Sequence, residues 1–524
     1  MLSVRRAVVF DRKTLLGVTY RPLRSMRPAH EAAIATLASG RSQFGISLPL
    51  IFGLGVYALI VSHGAAVLHD PDTYLHIAVG RWIIAHGAVP HHGIFSFTMP
   101  DAVWVAHEWL GEVVIAWLFD HFGWIGLLTA TGLSVAAAVT MLLRVLLRTL
   151  APVHATIATA LACGLALPHV LARPHIFTLP ILVAWAAALV RARSEHRAPS
   201  LRTAPLMLLW ANLHGGYMFG LGLAALLAGE AVLTAGNWPA CIRAARSWGL
   251  FGAASVLAAL ATPFGIEGLL LPFRLTQMNF ALSALVEWQS PDFQSFQPLE
   301  LWILIALCAA LSLGWRLPLT RVGIVLLLVH MALQHRRYGE LLGFVAPLLL
   351  APALASELKP RSDRRPALWL DRVMAELAKP ANPAGIVLTG AALAALSAFA
   401  LHGSVARQLD ALSPRAALDV VGAHHVTGPV LNAYGFGDYL IFSGIEPFID
   451  GRAELYGDRL IKRYSDAILG SSDQLPVLLS EYGITWTLLD PGCPAVRLLD
   501  YLPGWRRLYA DGTAIVHVRD NPPR

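Results

Sequence analysis

Charge is what this sequence has least of. Only 14% of its 524 residues are Asp, Glu, Lys or Arg, against about 25% in a soluble domain. That shortage excludes a globular protein wetted on every side. Cysteine is scarce as well, and Cys163, Cys241, Cys308 and Cys493 share no short spacing. A disulfide framework and a cysteine-bound metal are thereby excluded. No internal repeat or low-complexity tract is present, which excludes a solenoid. Lysine is rare beside arginine, a bias that points to a GC-rich bacterial genome.

Apolar length is what the sequence has in quantity. Hydrophobic residues make up 56% of it, and its mean hydropathy is +0.58. Apolar segments fall near 46–68, 123–143, 154–172, 175–190, 203–213, 216–235, 248–271, 299–315, 321–335, 339–356 and 384–402. This predicts a polytopic α-helical membrane protein with about eleven spans. The net charge of +7 does not indicate nucleic acid. Its arginines sit in short blocks between apolar segments, as in loops that obey the positive-inside rule. These blocks fall on one side if the N-terminus is cytosolic. The predicted location is the bacterial cytoplasmic membrane, in contact with its lipids, with the C-terminus outside.

Residues 1–45 are too long and too charged for a signal-peptide n-region and are expected to be a basic cytosolic tail. Residues 46–402 form the spanning region, with an acidic first outer loop at 69–122. Residues 403–524 read as an extracytoplasmic α/β domain. Within it "PVLNAY", "YLIFSG", "PFIDGR" and "TWTLLD" are expected strands. "GDRLIKRYSDAILG" and "SDQLPVLLSEYG" are expected helices. "WRRLYADGTAIVHVR" is expected to be a hairpin turning at Asp511–Gly512.

Topology gathers the polar residues on one face. Asp70, Asp72 and His76 open the first outer loop, which also carries His107, Glu108 and Glu112. Later outer turns carry Arg173 and His175, then Asn212 and His214, then Arg336 and Arg337. Each has a plain structural role available: Asp70 and Asp72 as helix caps, the histidines as interfacial hydrogen-bonders, the arginines as snorkelling cations. Together they predict a hydrated cavity, because ionisable groups at a membrane boundary are costly unless paired or hydrated. Asp450 and Arg452, in "FIDGRAELYGD", are expected either to form a salt-bridged turn or to lie over that cavity.

"HDPDTYLHIAVGRWIIAHGAVP", just after the first span, resembles the acidic first loop of the GT-C superfamily of integral-membrane glycosyltransferases. That group includes the oligosaccharyltransferase catalytic subunit, the protein O-mannosyltransferases and the lipid A aminoarabinose transferases. "VLNAYGFGDYLIFSGIEPFIDGRAELYGDRLIKRY" is similar to the outer domain of oligosaccharyltransferase. The "WWDYG" motif is absent, however, with Ala433–Asp438 in its place, so asparagine glycosylation is not predicted. The resemblance implies transfer of a sugar from a polyprenyl-phosphate-linked donor to an acceptor at the outer face. Asp70 and Asp72 would be catalytic, with Asp70 the more important. His76, His107, Glu108, Arg173, His175, Asn212, His214, Arg336, Arg337, Asp450 and Arg452 would bind substrate. Mg²⁺ or Mn²⁺ on Asp70 and Asp72 is an option, since carboxylates suit hard cations. Two other functions fit the same residues: a transporter or flippase of a lipid-linked or anionic substrate, and a non-catalytic assembly or sensor protein.

Overall fold

The computed structural model describes residues 40–313, 317–362, 368–401, 413–470 and 473–520. Most of the expected cytosolic tail lies outside the described residues. The chain is mainly helical as far as Leu401 and ends in a small mixed α/β unit.

Hydropathy located the helices well. The first apolar segment is Leu48–Ser62, followed by the short Gly64–Leu68. Helix Trp109–Leu146 is broken at Gly123, whose φ of 62° is left-handed and suits glycine. The expected second span begins at that break, and the part before it falls in the segment expected as the first outer loop. Among the described residues three helices are long and apolar enough to cross a membrane: Trp109–Leu146, Pro174–Ser194 and Arg336–Leu358. Five more are apolar but shorter, namely Leu48–Ser62, Tyr217–Leu233, Pro298–Ser312, Leu319–Gln334 and Pro383–Phe399. Ala204–Leu213 has 10 residues and extends about 15 Å, half a bilayer core of about 30 Å. The expected span at 248–271 also differs. The helix runs from Trp238 to Leu260 and a second begins at Ile266. Pro263 and Gly265 lie in the break, and Asn237 caps the Ala240 N–H at the start.

Two apolar cores result. The first joins Tyr57, Leu128, Leu142, Trp185, Trp210, Phe251 and Phe344 across the helical region. The second joins Leu75, Val79, Ile83 and Trp104 of the first outer loop to Phe448, Trp486, Leu488 and Val516 near the C-terminus. The loop is thus packed as part of the C-terminal unit. Tyr74 is the hinge pin, with ring centroids 5.3 Å from Trp124, 4.9 Å from Tyr439 and 5.2 Å from Phe442. Asp458 adds a polar tie by accepting the Phe280 and Ala281 N–H groups at 3.0 and 2.9 Å.

The C-terminal sheet has strands β1 (Val430–Asn432), β2 (Trp486–Leu489), β3 (Trp505–Ala510) and β4 (Ile515–Arg519), in the order β1-β2-β4-β3. β1 and β2 are parallel, with Leu431 opposite Thr487. β2 and β3 each pair antiparallel with β4. The expected hairpin turn is present, and Asp511 accepts the Thr513 and Ala514 N–H groups at 2.7 Å. Two expected strands are not. "YLIFSG" falls largely in helix Gly437–Phe442, and "PFIDGR" is irregular. A short apolar run fits a buried helical turn as well as a strand.

Candidate active site

Asp70 stands just ahead of helix Asp72–His86, yet its carboxylate caps nothing. It is 5% exposed, and both oxygens face Arg173. Arg173 Nη2 lies 2.7 Å from Asp70 Oδ1, and its Nε bonds Oδ2. The same Nη2 is 3.1 Å from Asp72 Oδ2, and Nη1 is 3.2 Å from Glu287 Oε2. One guanidinium therefore ties together three carboxylates from two separate segments. Glu287 in turn receives Arg337 Nη1 at 3.3 Å, while the Arg337 guanidinium stacks 4.7 Å from the Trp288 ring centroid. Arg336 is held through its own N–H to the Gln289 carbonyl, at 3.0 Å.

These groups border a cavity of about 620 Å³. Asp70, Asp72, Arg173, Glu287, Arg336 and Tyr434 supply its polar lining. Leu165, Leu171, Leu285, Val286 and Leu299 supply an apolar wall. Gly451 is at the rim. Four of the expected residues, Asp70, Asp72, Arg173 and Arg336, thus face one space. Arg337 reaches it through Glu287.

A second cluster adjoins the first, one turn along the helix from Asp72. His76 presents Nδ1 to Glu112 Oε1 at 3.3 Å and Nε2 to Glu108 Oε2 at 3.8 Å. Glu108 Oε1 lies 3.2 Å from His214 Nε2 and 3.7 Å from His107 Nε2. His175 stands against His214, with ring centroids 5.8 Å apart. The Gly216 N–H points at His214 Nδ1 at 3.0 Å, so a neutral His214 carries its proton on Nε2 and donates to Glu108. Burial holds the His214 imidazole well below the usual histidine range, aided by its cationic surroundings. For His76, burial alone would lower the imidazole, but the hydrogen bond to Glu112 and the charge of Glu108 raise it. Asn212 supports this cluster from outside. It accepts the Trp109 indole N–H at 2.9 Å and donates to the Leu208 and Ala261 carbonyls.

Asp450 and Arg452 pair with each other. Arg452 donates from Nε at 2.8 Å and from Nη2 at 2.6 Å, and Tyr456 donates its hydroxyl to the same carboxylate. The Arg452 guanidinium lies 4.7 Å from the Trp104 ring centroid. The salt-bridged turn is present, and Gly451 within it lines the cavity.

Sequence reasoning missed Glu287 and Asp438. Glu287 sits in a stretch with no motif, although the expected topology put residues 272–298 outside and so offered a signal. Asp438 was noticed only as part of the segment replacing "WWDYG". It is 1% exposed and accepts the Gly451 N–H at 2.9 Å, and its carboxylate and that of Asp72 both face Gly451.

The carboxylate at the cavity is correspondingly perturbed. Enclosure by protein pushes the Asp72 carboxyl up to about 6, with Arg173 opposing and Asp70 assisting. Asp438, buried beside Asp72 and Asp450, is raised further. Such a group is a weak enough acid to take a proton and a strong enough one to give it back near neutral pH.

Whether Asp70 and Asp72 fit a divalent cation follows from the same contacts. A metal would have to displace the Arg173 guanidinium from both, which makes the pair a poor fit. His76, Glu108 and Glu112 bring ligand atoms within 4.8 Å of one another. There His76 Nδ1 is hydrogen-bonded to Glu112 and Nε2 lies 3.8 Å from Glu108, an arrangement that a hydrogen bond and an ion pair explain.

No protein-family model and no curated protein matches the chain. Among solved structures it is similar to the crystal structure of ArnT from Cupriavidus metallidurans bound to undecaprenyl phosphate, with 13% sequence identity and a TM-score of 0.47, over 89% of this chain and 97% of that one.

Proposed function

We propose that this chain is a membrane glycosyltransferase that moves a sugar from a polyprenyl-phosphate-linked donor to an acceptor at the outer face of the cytoplasmic membrane. The observation that carries this reading is the cavity, which is lined both by arginines and a carboxyl of raised pKa and by leucines and a valine. A phosphate with a hydrocarbon tail has the same dual chemistry.

Arg173 and Arg336 hold the phosphate, since guanidinium groups match phosphate oxygens in geometry and charge. Leu165, Leu171, Leu285, Val286 and Leu299 take the first isoprene units. Asp72, hydrogen-bonded but less buried than Asp70, receives the acceptor's proton. The acceptor oxygen then bonds to the anomeric carbon. The bond from that carbon to the phosphate oxygen breaks, and its electron pair leaves with the polyprenyl phosphate beside Arg173. Asp70 keeps the Arg173 fork aimed. No step requires a metal on Asp70 or Asp72.

Binding of polyprenyl phosphate and of the matching polyprenyl alcohol to the purified protein, compared by native mass spectrometry, tests the pocket. The phosphate should bind and the alcohol should not, and Arg173→Gln or Arg336→Gln should erase the difference. Equal binding of both lipids would remove the phosphate-holding role. An enzyme reporter fused after Arg524 tests orientation. Activity confined to the cytoplasm would place the cavity on the wrong face.

A further inference from the structure

The Asp72–Asp438 contact joins a carboxyl of the first outer loop to one of the C-terminal unit. Asp438 lies on helix Gly437–Phe442, which packs on helix Asp72–His86. Gly451 allows the contact: a Cβ there would lie 2.8 Å from Asp438 Oδ2 and 3.1 Å from Asp72 Oδ1. Among the described residues Asp438 forms no salt bridge, and its carboxylate accepts the Gly451 N–H at 2.9 Å. Nearby Asp450 is different, because Arg452 neutralises it.

Two carboxyls brought this close cannot both ionise without a cation on Asp438, so one proton stays with the pair. Asp72 is also faced by Arg173, Asp70, His76 and Glu287. Arg173, the single arginine among them, is already shared with Asp70 and Glu287. Asp438 is faced by Asp72 and Asp450, and Tyr434 lies close by with its hydroxyl on the Gly451 carbonyl at 3.2 Å.

We propose that Asp438 is a positioning residue for the transfer: the C-terminal unit delivers it against Asp72 so that the two carboxyls hold one proton between them, and the site is competent only when that unit is docked. The inference rests on reading Asp72 as the proton acceptor. In the reaction the acceptor hydroxyl gives its proton to Asp72, and the pair passes from one proton to two. It returns to one when the extra proton is lost to water.

Two measurements test the pair. In the pH–rate profile, Asp438→Asn should move the acid limb to higher pH by about one unit, because ionised Asp72 loses the shared proton that stabilises its charge. The donor KM should stay unchanged. An acid limb at the parent's position would overturn the proposal, since a merely structural residue would lower the rate at every pH alike. Infrared difference spectra give an independent reading. At neutral pH the parent should show a protonated-carboxyl band that Asp72→Asn removes. Survival of that band in Asp72→Asn would also overturn the proposal, and this holds even if Asp438→Asn fails to fold. The two readings separate cleanly. Full transfer activity in Asp72→Asn would sink the catalytic role of Asp72, while the infrared band would still decide the pair.

Discussion

Arg173 lies across Asp70 as a two-point clamp, with Nη2 2.7 Å from one oxygen and Nε on the other. A lysine cannot reproduce that fork. Arg173→Lys should therefore lose roughly 1.5–3 kcal/mol of phosphate interaction, or about one to two decades in donor affinity. Asp70→Asn should be as damaging, because it leaves the guanidinium short of its buried partner. Transfer rate against donor concentration in nanodiscs measures both. Parent-like curves for the two variants would reduce the clamp to a helix-packing contact.

Asp72 should set the lower pH limit of activity. With its carboxyl pushed up to about 6, the ionised base is lost as pH falls through that value, and the rate should drop about tenfold per unit below it. The linked stability has the opposite sign. The folded value exceeds the ordinary 3.8, so between these values the folded chain binds more protons than the unfolded one. Stability from this group is therefore full below 3.8 and is lost as pH rises through about 6. Thermal unfolding across that window should slope less in Asp72→Asn. An unchanged slope would place the perturbed carboxyl elsewhere.

Arg336 and Arg337 should separate. Arg336 borders the cavity, and Arg336→Lys should raise the donor KM. Arg337 is committed to Glu287 and Trp288. Arg337→Lys should instead cost about 0.5–2 kcal/mol of stability as the stacking weakens, with a smaller effect on KM. Kinetics and melting of the two variants check this, and the reverse pattern would exchange their roles.

Arg452 is 3% exposed and Asp450 is fully buried. Removing one partner of such a pair costs about 3–5 kcal/mol. Arg452→Gln should lower the melting temperature sharply and leave the donor KM of the surviving protein unchanged. A KM effect without destabilisation would mean that Arg452 touches substrate.

Much of this was legible in the sequence because membrane-length apolar runs reveal helices directly, and because alternating arginine blocks sort the loops by side. That sorting placed Asp70 and Arg173 on one face, and the structure joins them. It was less informative where single residues stand without a pattern. Glu287 completes the arginine network from a stretch with no motif, and only its side of the membrane could have flagged it. Asp438 was hidden for a different reason: its partner Asp72 is more than 360 residues away, and no local spacing reports such a contact. The misread "YLIFSG" shows the limit of periodicity, since six residues do not separate a helical turn from a strand. Asp450 and Arg452, two residues apart, were readable as a local pair.

The second apolar core has a consequence for synthesis. Leu75, Val79, Ile83 and Trp104 are translated early, and the residues that cover them, Phe448, Trp486, Leu488 and Val516, are translated last. Until the final strand leaves the ribosome this core is unfinished, with Phe264, Leu271 and Ala281 giving the loop only part of its cover. A chain cut short before β4 would carry every described helix and the Asp70–Arg173 clamp but an unfinished C-terminal sheet. Premature release should thus yield protease-sensitive products whose second core is unfinished.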